Sequence, residues 1–177
     1  PLGLLQWCAE NDRHTFKRCI VVNSLSKRSN VPGLRSGFIA GDENIIEAFY
    51  QYRTYQGGAM PLQVQVASAV AWRDEKHVVQ NRQLYREKIE TVTNILGEVL
   101  KVNRPKAGFY LWPDIGSDDM TFCEMLLSQA GVLVLPGQFL ARENEKGNPG
   151  RNRVRIALVA DEKLCKTAAE RIRSLLC

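Results

Sequence analysis

Much that would announce a function class is missing from this chain. No apolar run is long enough to span a bilayer as a helix. No charged segment followed by a short apolar stretch marks a secretory signal. The five cysteines (Cys8, Cys19, Cys123, Cys165 and Cys177) are odd in number, and no two have C-x-x-C spacing. That argues against a disulfide framework and a structural zinc site, and free thiols in a reducing cytosol are the expectation. Histidine is scarce: His14 and His77 each stand alone in polar surroundings and read as solvated rather than catalytic. With no ligand spacing in view, no metal is expected. The net charge of +5 carries no polybasic tail, because Lys and Arg are scattered among Asp and Glu. No nucleic-acid or membrane partner is therefore expected. Internal repeats and low-complexity tracts are also lacking.

What remains is an ordinary globular composition, 45% hydrophobic and 24% charged over 177 residues. That suits one domain or a large piece of a bigger protein. The chain opens on Pro1 rather than Met and reads as entering mid-element, so a fragment or processed product is expected.

Strand and helix patterns alternate throughout. Residues Cys19 to Val22 form a short β-branched apolar run, read as a buried strand. A polar loop from Ser24 to Ser36 and a strand from Gly37 to Ala40 follow. Asp42 is placed to cap a helix carrying Ile45, Ile46, Phe49 and Tyr50, stopped by Gly57-Gly58. A helix from Pro61 is apolar nearly all round and is expected to be buried. The longest periodic stretch, Asp74 to Leu100, has Tyr85, Ile89, Val92, Leu96 and Val99 on one face and is ended by Arg104-Pro105. Phe109 to Trp112 and Val132 to Leu135 read as strands, with a helix between them capped by Asp118 or Asp119. After a loop from Gln138 to Arg151, Val154, Ile156 and Leu158 form the apolar face of a strand. A last helix follows Asp161, with Leu164, Ala168, Ile172 and Leu175 on its inner stripe. This alternation places the chain in the α/β or α+β class.

One constellation carries chemistry. Ser24-Leu25-Ser26-Lys27 leaves the first strand, and Arg35 comes eight residues after Lys27, within Gly33-Leu34-Arg35-Ser36-Gly37. An amine is nucleophilic only when deprotonated, and desolvation or neighbouring cations such as Arg28 and Arg35 favour that form. The hydroxyls of Ser24 and Ser26, with the fork of Arg35, suit a phosphate dianion. Gly33 and Gly37 would let the backbone turn tightly and approach it.

The segment from Ser24 to Gly37 resembles the cofactor-lysine signature of class I aminotransferases of fold type I. The resemblance implies that Lys27 bonds covalently to pyridoxal 5'-phosphate and that Ser24 and Arg35 bind its phosphate. Ala107-Gly108-Phe109-Tyr110-Leu111-Trp112 looks like the strand that opens the family's small domain. Val134-Leu135-Pro136-Gly137 looks like a strand and turn bordering its active site. Val154-Arg155-Ile156-Ala157-Leu158 resembles the strand whose arginine grips the substrate α-carboxylate. That role falls on Arg155, with Arg153 on the same strand face left as the alternative.

The implied fold is α/β, the C-terminal part of the aspartate-aminotransferase-like fold. Residues 1–84 would end the large cofactor-binding lobe, and residues 85–177 would form the α+β small domain. The signature, with Phe38-Ile39-Ala40-Gly41-Asp42 and the opening Pro1 to Gln6, looks most like the succinyldiaminopimelate aminotransferase subgroup. This implies amino transfer between glutamate and a succinylated keto-acid (N-succinyl-2-amino-6-ketopimelate) in lysine biosynthesis, by a cytoplasmic homodimer. Another aminotransferase, a β-lyase, or a non-catalytic domain derived from the fold are the alternatives. The family's remaining cofactor contacts fall before Pro1, so these 177 residues alone are expected to have little activity.

Overall fold

The computed structural model describes residues 2–177. They form two compact units, one running through Val79 and the other from Gln80 to Cys177.

The first unit opens with helix α1 (Leu4–Glu10) and strand β1 (Ile20–Ser24). A single helical turn, α2 (Leu25–Arg28), and a 3-10 turn (Pro32–Leu34) lead into β2 (Gly37–Gly41). The two strands pair antiparallel, from Ile20 opposite Gly41 to Ser24 opposite Gly37. Helices α3 (Glu43–Arg53) and α4 (Leu62–Arg73) complete the unit. Asp42 caps α3 as its sequence position suggests, accepting from Asn44 N and Ile45 N. A backbone hydrogen bond from Arg18 also reaches its carboxylate at 2.6 Å and is the main reason its pKa lies below the usual range.

Two burial expectations fail here. Strand β1 is not buried, since Val22 is 75% exposed. Its only strand partner among the described residues is β2, and a fully buried strand needs cover on both faces. Helix α4 is not buried either. Val66 and Val70 are 60% and 63% exposed, and Ser68 alone on the helix is buried. Apolar residues all round a helix indicate what could be buried, not how many neighbours the chain supplies. The loop expected from Ser24 to Ser36 instead contains the two helical turns, because Ser24 caps the first and Pro32 starts the second.

Helix α5 (Lys76–Leu96) carries the division between the units. It stops well before Arg104-Pro105. Gly97, a poor helix former, directly follows its last residue.

The second unit contains β3 (Tyr110–Leu111), α6 (Asp119–Met125), a π-helical turn (Leu126–Ala130), β4 (Leu135–Pro136), β5 (Val154–Ala157) and α7 (Glu162–Leu176). The sheet is antiparallel in the order β3-β5-β4. Its strands are shorter than their apolar runs: Val132 to Val134 precede β4 without joining it, and Leu133 is 78% exposed. The core packs the α5 face of Ile89, Val92 and Leu96 with Leu111, Leu126, Val154, Ile156 and Ile172. Burying one such side chain contributes about 1.5–3 kcal/mol.

Helix α7 buries Cys165, Ala169 and Ile172, while Leu164 is 58% exposed. The expected stripe was therefore one residue out of phase at its start. Both sets fit the helical period, and the small side chains face the core. Asp118 is the α6 cap, accepting from Thr121 N at 2.9 Å. Its neighbour Asp119 is fully buried and accepts from the backbone N–H groups of Gln138 and Asn152 at 2.9 and 3.3 Å. That carboxylate ties both ends of the long loop to the start of α6. Gly137 and Gly150 meet where this loop closes; a Cβ on either would come within 2.2 Å of the other's carbonyl oxygen.

Candidate active site

Lys27 sits on a turn too short to hold itself. One helical turn fixes several dihedrals for one hydrogen bond, here Ser29 N to the Leu25 carbonyl at 3.0 Å. Its support comes from outside. Ser24 Oγ caps it, accepting from Ser26 N at 3.1 Å, and lies 3.2 Å from the Ser36 carbonyl. The same carbonyl accepts from Leu25 N at 3.1 Å, and the Leu25 side chain is completely enclosed. The strand end, the cap and the return strand are thus locked together, with Lys27 on the exposed side of the turn.

Arg35 follows the 3-10 turn in a left-handed conformation, φ 49° and ψ 38°. That backbone costs a non-glycine residue about 1–2 kcal/mol, and such strain gathers where a side chain must be aimed. Arg35 Nη1 donates to the Pro32 carbonyl at 2.8 Å. Its guanidinium has no carboxylate partner among the described residues.

Ser24, Ser26 and Arg35 all line one open cavity of about 960 Å³, together with Gly37, Arg53 and Met60. Its charged lining residues are two arginines, with no acidic residue among them. Such a wall favours an anion. The structure therefore brings Ser24 and Arg35 together as the sequence spacing suggests. Lys27 lies one residue beyond Ser26 and is not part of that lining.

Three local readings change. Gly37 is required by strand pairing, because a Cβ there would meet the Asn23 carbonyl oxygen at 2.5 Å. A Cβ on Gly33 would meet nothing within 4 Å. Arg28 is not a loose cation beside Lys27. It donates to the Ala71 carbonyl at 2.8 Å, pairs with Glu75, and stacks 4.9 Å from the Trp72 ring centroid. His77 is not merely solvated. Its Nδ1 lies 2.7 Å from Asp74 Oδ2, and its Nε2 lies 2.8 Å from Ser29 Oγ. The bond to His77 is the main reason the Asp74 carboxyl is held below the usual range. His14 does stand out in solvent, its side chain 71% exposed.

In the second unit, Arg153 and Arg155 differ in their engagement. Arg153 pairs with Asp114 at 3.3 Å, and the two residues also form a β-bridge. The Arg155 guanidinium lies 4.7 Å from the Tyr110 ring centroid, and its Nε is buried without a hydrogen-bond partner. Buried donors are ordinarily paired, so this one is suited to an incoming acceptor. Asp119 contributes here indirectly, fixing Asn152 just before β5 and Gln138 just after β4. The two aspartates before the helix mark a cap, as the sequence suggests, but nothing in the sequence shows which one turns inward.

Among the described residues, no group of three His, Cys, Asp or Glu could hold a metal ion, and no helix is long and apolar enough to cross a membrane.

Comparison with known proteins identifies the family. The family model for aminotransferase class I and II matches residues 5–172. Among solved structures, an aminotransferase from Neisseria meningitidis is 52% identical with a TM-score of 0.94, over 100% of this chain and 45% of that one. The aminotransferase AspB from Helicobacter pylori is 32% identical with a TM-score of 0.89, over 99% of this chain and 45% of its own. An LL-diaminopimelate aminotransferase from Natranaerobius thermophilus is 35% identical over 86% of this chain and 39% of its own length. The OxyQ transaminase of Streptomyces rimosus, named for 4-dedimethylamino-4-oxo-anhydrotetracycline, is 34% identical over 86% of this chain and 41% of its own length. The chain thus spans less than half the length of these relatives. It has their aspartate-aminotransferase-like fold and belongs to the class I and II aminotransferases, a pyridoxal-phosphate-dependent family.

Proposed function

We propose that this chain supplies the lysine and the phosphate grip of an aminotransferase acting on an amino acid and a keto-acid. The observation that carries the reading is the cavity wall of Ser24, Ser26 and Arg35, charged only by arginines and one residue from Lys27. Two hydroxyls and a guanidinium without a carboxylate partner fit a phosphate dianion.

When bound, pyridoxal phosphate supplies an electron sink for charge left on the substrate α-carbon. The chain's own residues do the rest. Ser24 and Arg35 would hold the cofactor's phosphate. Lys27 would hold the cofactor through Nζ, and its free amine would take the proton that leaves the substrate α-carbon. Arg155 orients the substrate carboxylate, with its unpaired Nε as one donor. Arg153 is the weaker choice for that grip because Asp114 already holds it.

Residues 1–84 are assigned to the cofactor lobe and 85–177 to the small domain. The preferred substrates are glutamate and N-succinyl-2-amino-6-ketopimelate, placing the enzyme in lysine biosynthesis as a cytoplasmic homodimer. The relatives' names span diaminopimelate and an anhydrotetracycline, so a different amino-acid aminotransferase is the second reading.

A substrate panel on the natural full-length protein tests this. Transfer from glutamate to the succinylated keto-acid at least tenfold faster than to other keto-acids supports the first reading. Preference for another acceptor supports the second. Transfer undiminished in Lys27→Ala would remove the lysine from its role in both.

A further inference from the structure

We propose that Arg28, Ser29 and His77 are positioning residues for Lys27, forming a clamp that fixes its turn to the junction of α4 and α5. The proposal rests on the reading of Lys27 given above.

The need for a clamp comes from the turn itself. On the Ser24 side, the cap and the buried Leu25 fix where it starts. Nothing in a four-residue turn fixes where it ends, and the direction of the Lys27 side chain depends on both ends.

The far end is held at two points, immediately after Lys27. Arg28 reaches the C-terminus of α4, donating to the Ala71 and Trp72 carbonyls at 2.8 and 3.4 Å. Those carbonyls have no partner within the helix, and a cation is favoured there. Glu75 pairs with the same guanidinium, and Trp72 covers it. Trp72 in turn meets Phe38 of β2 edge-on, 5.0 Å between centroids. The Arg28 side chain is only 13% exposed, so this is a packed anchor and not a loose surface pair.

Ser29 gives the second point. Its hydroxyl meets His77 Nε2, and His77 Nδ1 meets Asp74. Asp74 also accepts from Lys76 N at 2.9 Å, so the chain of bonds ends on the first turn of α5. Two links of different chemistry, joined to each other where Arg28 Nη1 donates to Ser29 Oγ at 3.3 Å, thus leave the two residues that follow Lys27 and land within seven residues of each other. That convergence is hard to account for by surface solvation of a polar loop.

The expected signature separates positioning from binding. Ser29→Ala removes one hydroxyl and leaves Ser24, Arg35 and Lys27 in place. In the natural full-length protein, it should leave the affinity for pyridoxine 5'-phosphate, which has the phosphate but no aldehyde, within twofold of wild type. The rate of borohydride-trapped attachment of pyridoxal phosphate to Lys27 should fall about tenfold. Hydrogen exchange at the Ser29 amide should rise by a similar factor. Ser29→Thr, which keeps the hydroxyl, should restore both. His77→Ala should reproduce Ser29→Ala, and the double variant should be no worse than either alone.

Unchanged attachment and exchange in folded Ser29→Ala and His77→Ala would overturn the clamp. Failure of Ser29→Thr to rescue, or equal loss of pyridoxine 5'-phosphate binding, would overturn it in favour of a general packing role. If wild type attaches no cofactor at Lys27, the functional reading fails and the positioning proposal falls with it, whatever the exchange data show. Attachment in wild type with no change in the variants defeats the clamp alone.

Discussion

Replacing Arg35 with alanine tests the phosphate grip. One of its nitrogens, Nη1, already donates to Pro32, leaving donors on the guanidinium for an anion in the cavity. A hydrogen bond to a charged group contributes about 1.5–3 kcal/mol when formed. Arg35 is exposed, so solvent screens part of this, and the whole grip is put at the value of one such bond rather than two. Affinity for pyridoxine 5'-phosphate should then fall about 10- to 150-fold. Binding of pyridoxine, which lacks the phosphate, should not change. Calorimetry on the natural full-length protein measures both. Arg35→Gly should lose the same affinity and yet be more stable than Arg35→Ala by about 1 kcal/mol, because glycine accepts the left-handed backbone without cost. A loss below twofold for the phosphorylated ligand, or an equal loss for both ligands, would refute the reasoning.

Other perturbations follow from the same structure. Leu111→Ala, at a fully enclosed site in the second unit, should cost about 2–5 kcal/mol in chemical denaturation. Burial pushes the Cys123 thiol up to about 11 from an ordinary 9.0. At pH 8 its thiolate fraction is then about a hundredfold smaller, and iodoacetamide should modify exposed Cys177 long before Cys123. Asp118 is held below 3.8, chiefly by the Thr121 N–H and then by its hydroxyl. Its contribution to stability is present above 3.8 and is lost as pH falls through the lower folded value. Asp118→Asn should therefore flatten the acid limb of the stability profile of the second unit and leave the neutral region level.

The legible parts of this fold were those set by local rules. Asp42 caps α3 because a short carboxylate before an amphipathic run satisfies the orphan N–H groups of the first turn. The Ile89, Val92 and Leu96 stripe on α5 reached the core because its period and its charged opposite face agree. Ser24 and Arg35 were paired from spacing, and the turn between them puts both on one wall. Burial was less legible, since it depends on what else the chain supplies. Val22 and Val70 have the composition of interior residues and face outward. Links across long separations were not legible at all. His77 and Ser29 are 48 residues apart, and neither motif nor period connects them. Arg28 looked like a cation for Lys27 because sequence proximity is not direction; its side chain turns to Glu75 and the end of α4.

The most direct test of the account is to reduce the natural full-length protein with borohydride in the presence of pyridoxal phosphate and map the modified peptide. The account predicts one stoichiometric modification, on Lys27, abolished in Lys27→Ala. Modification at another lysine, or none with cofactor bound, would contradict it.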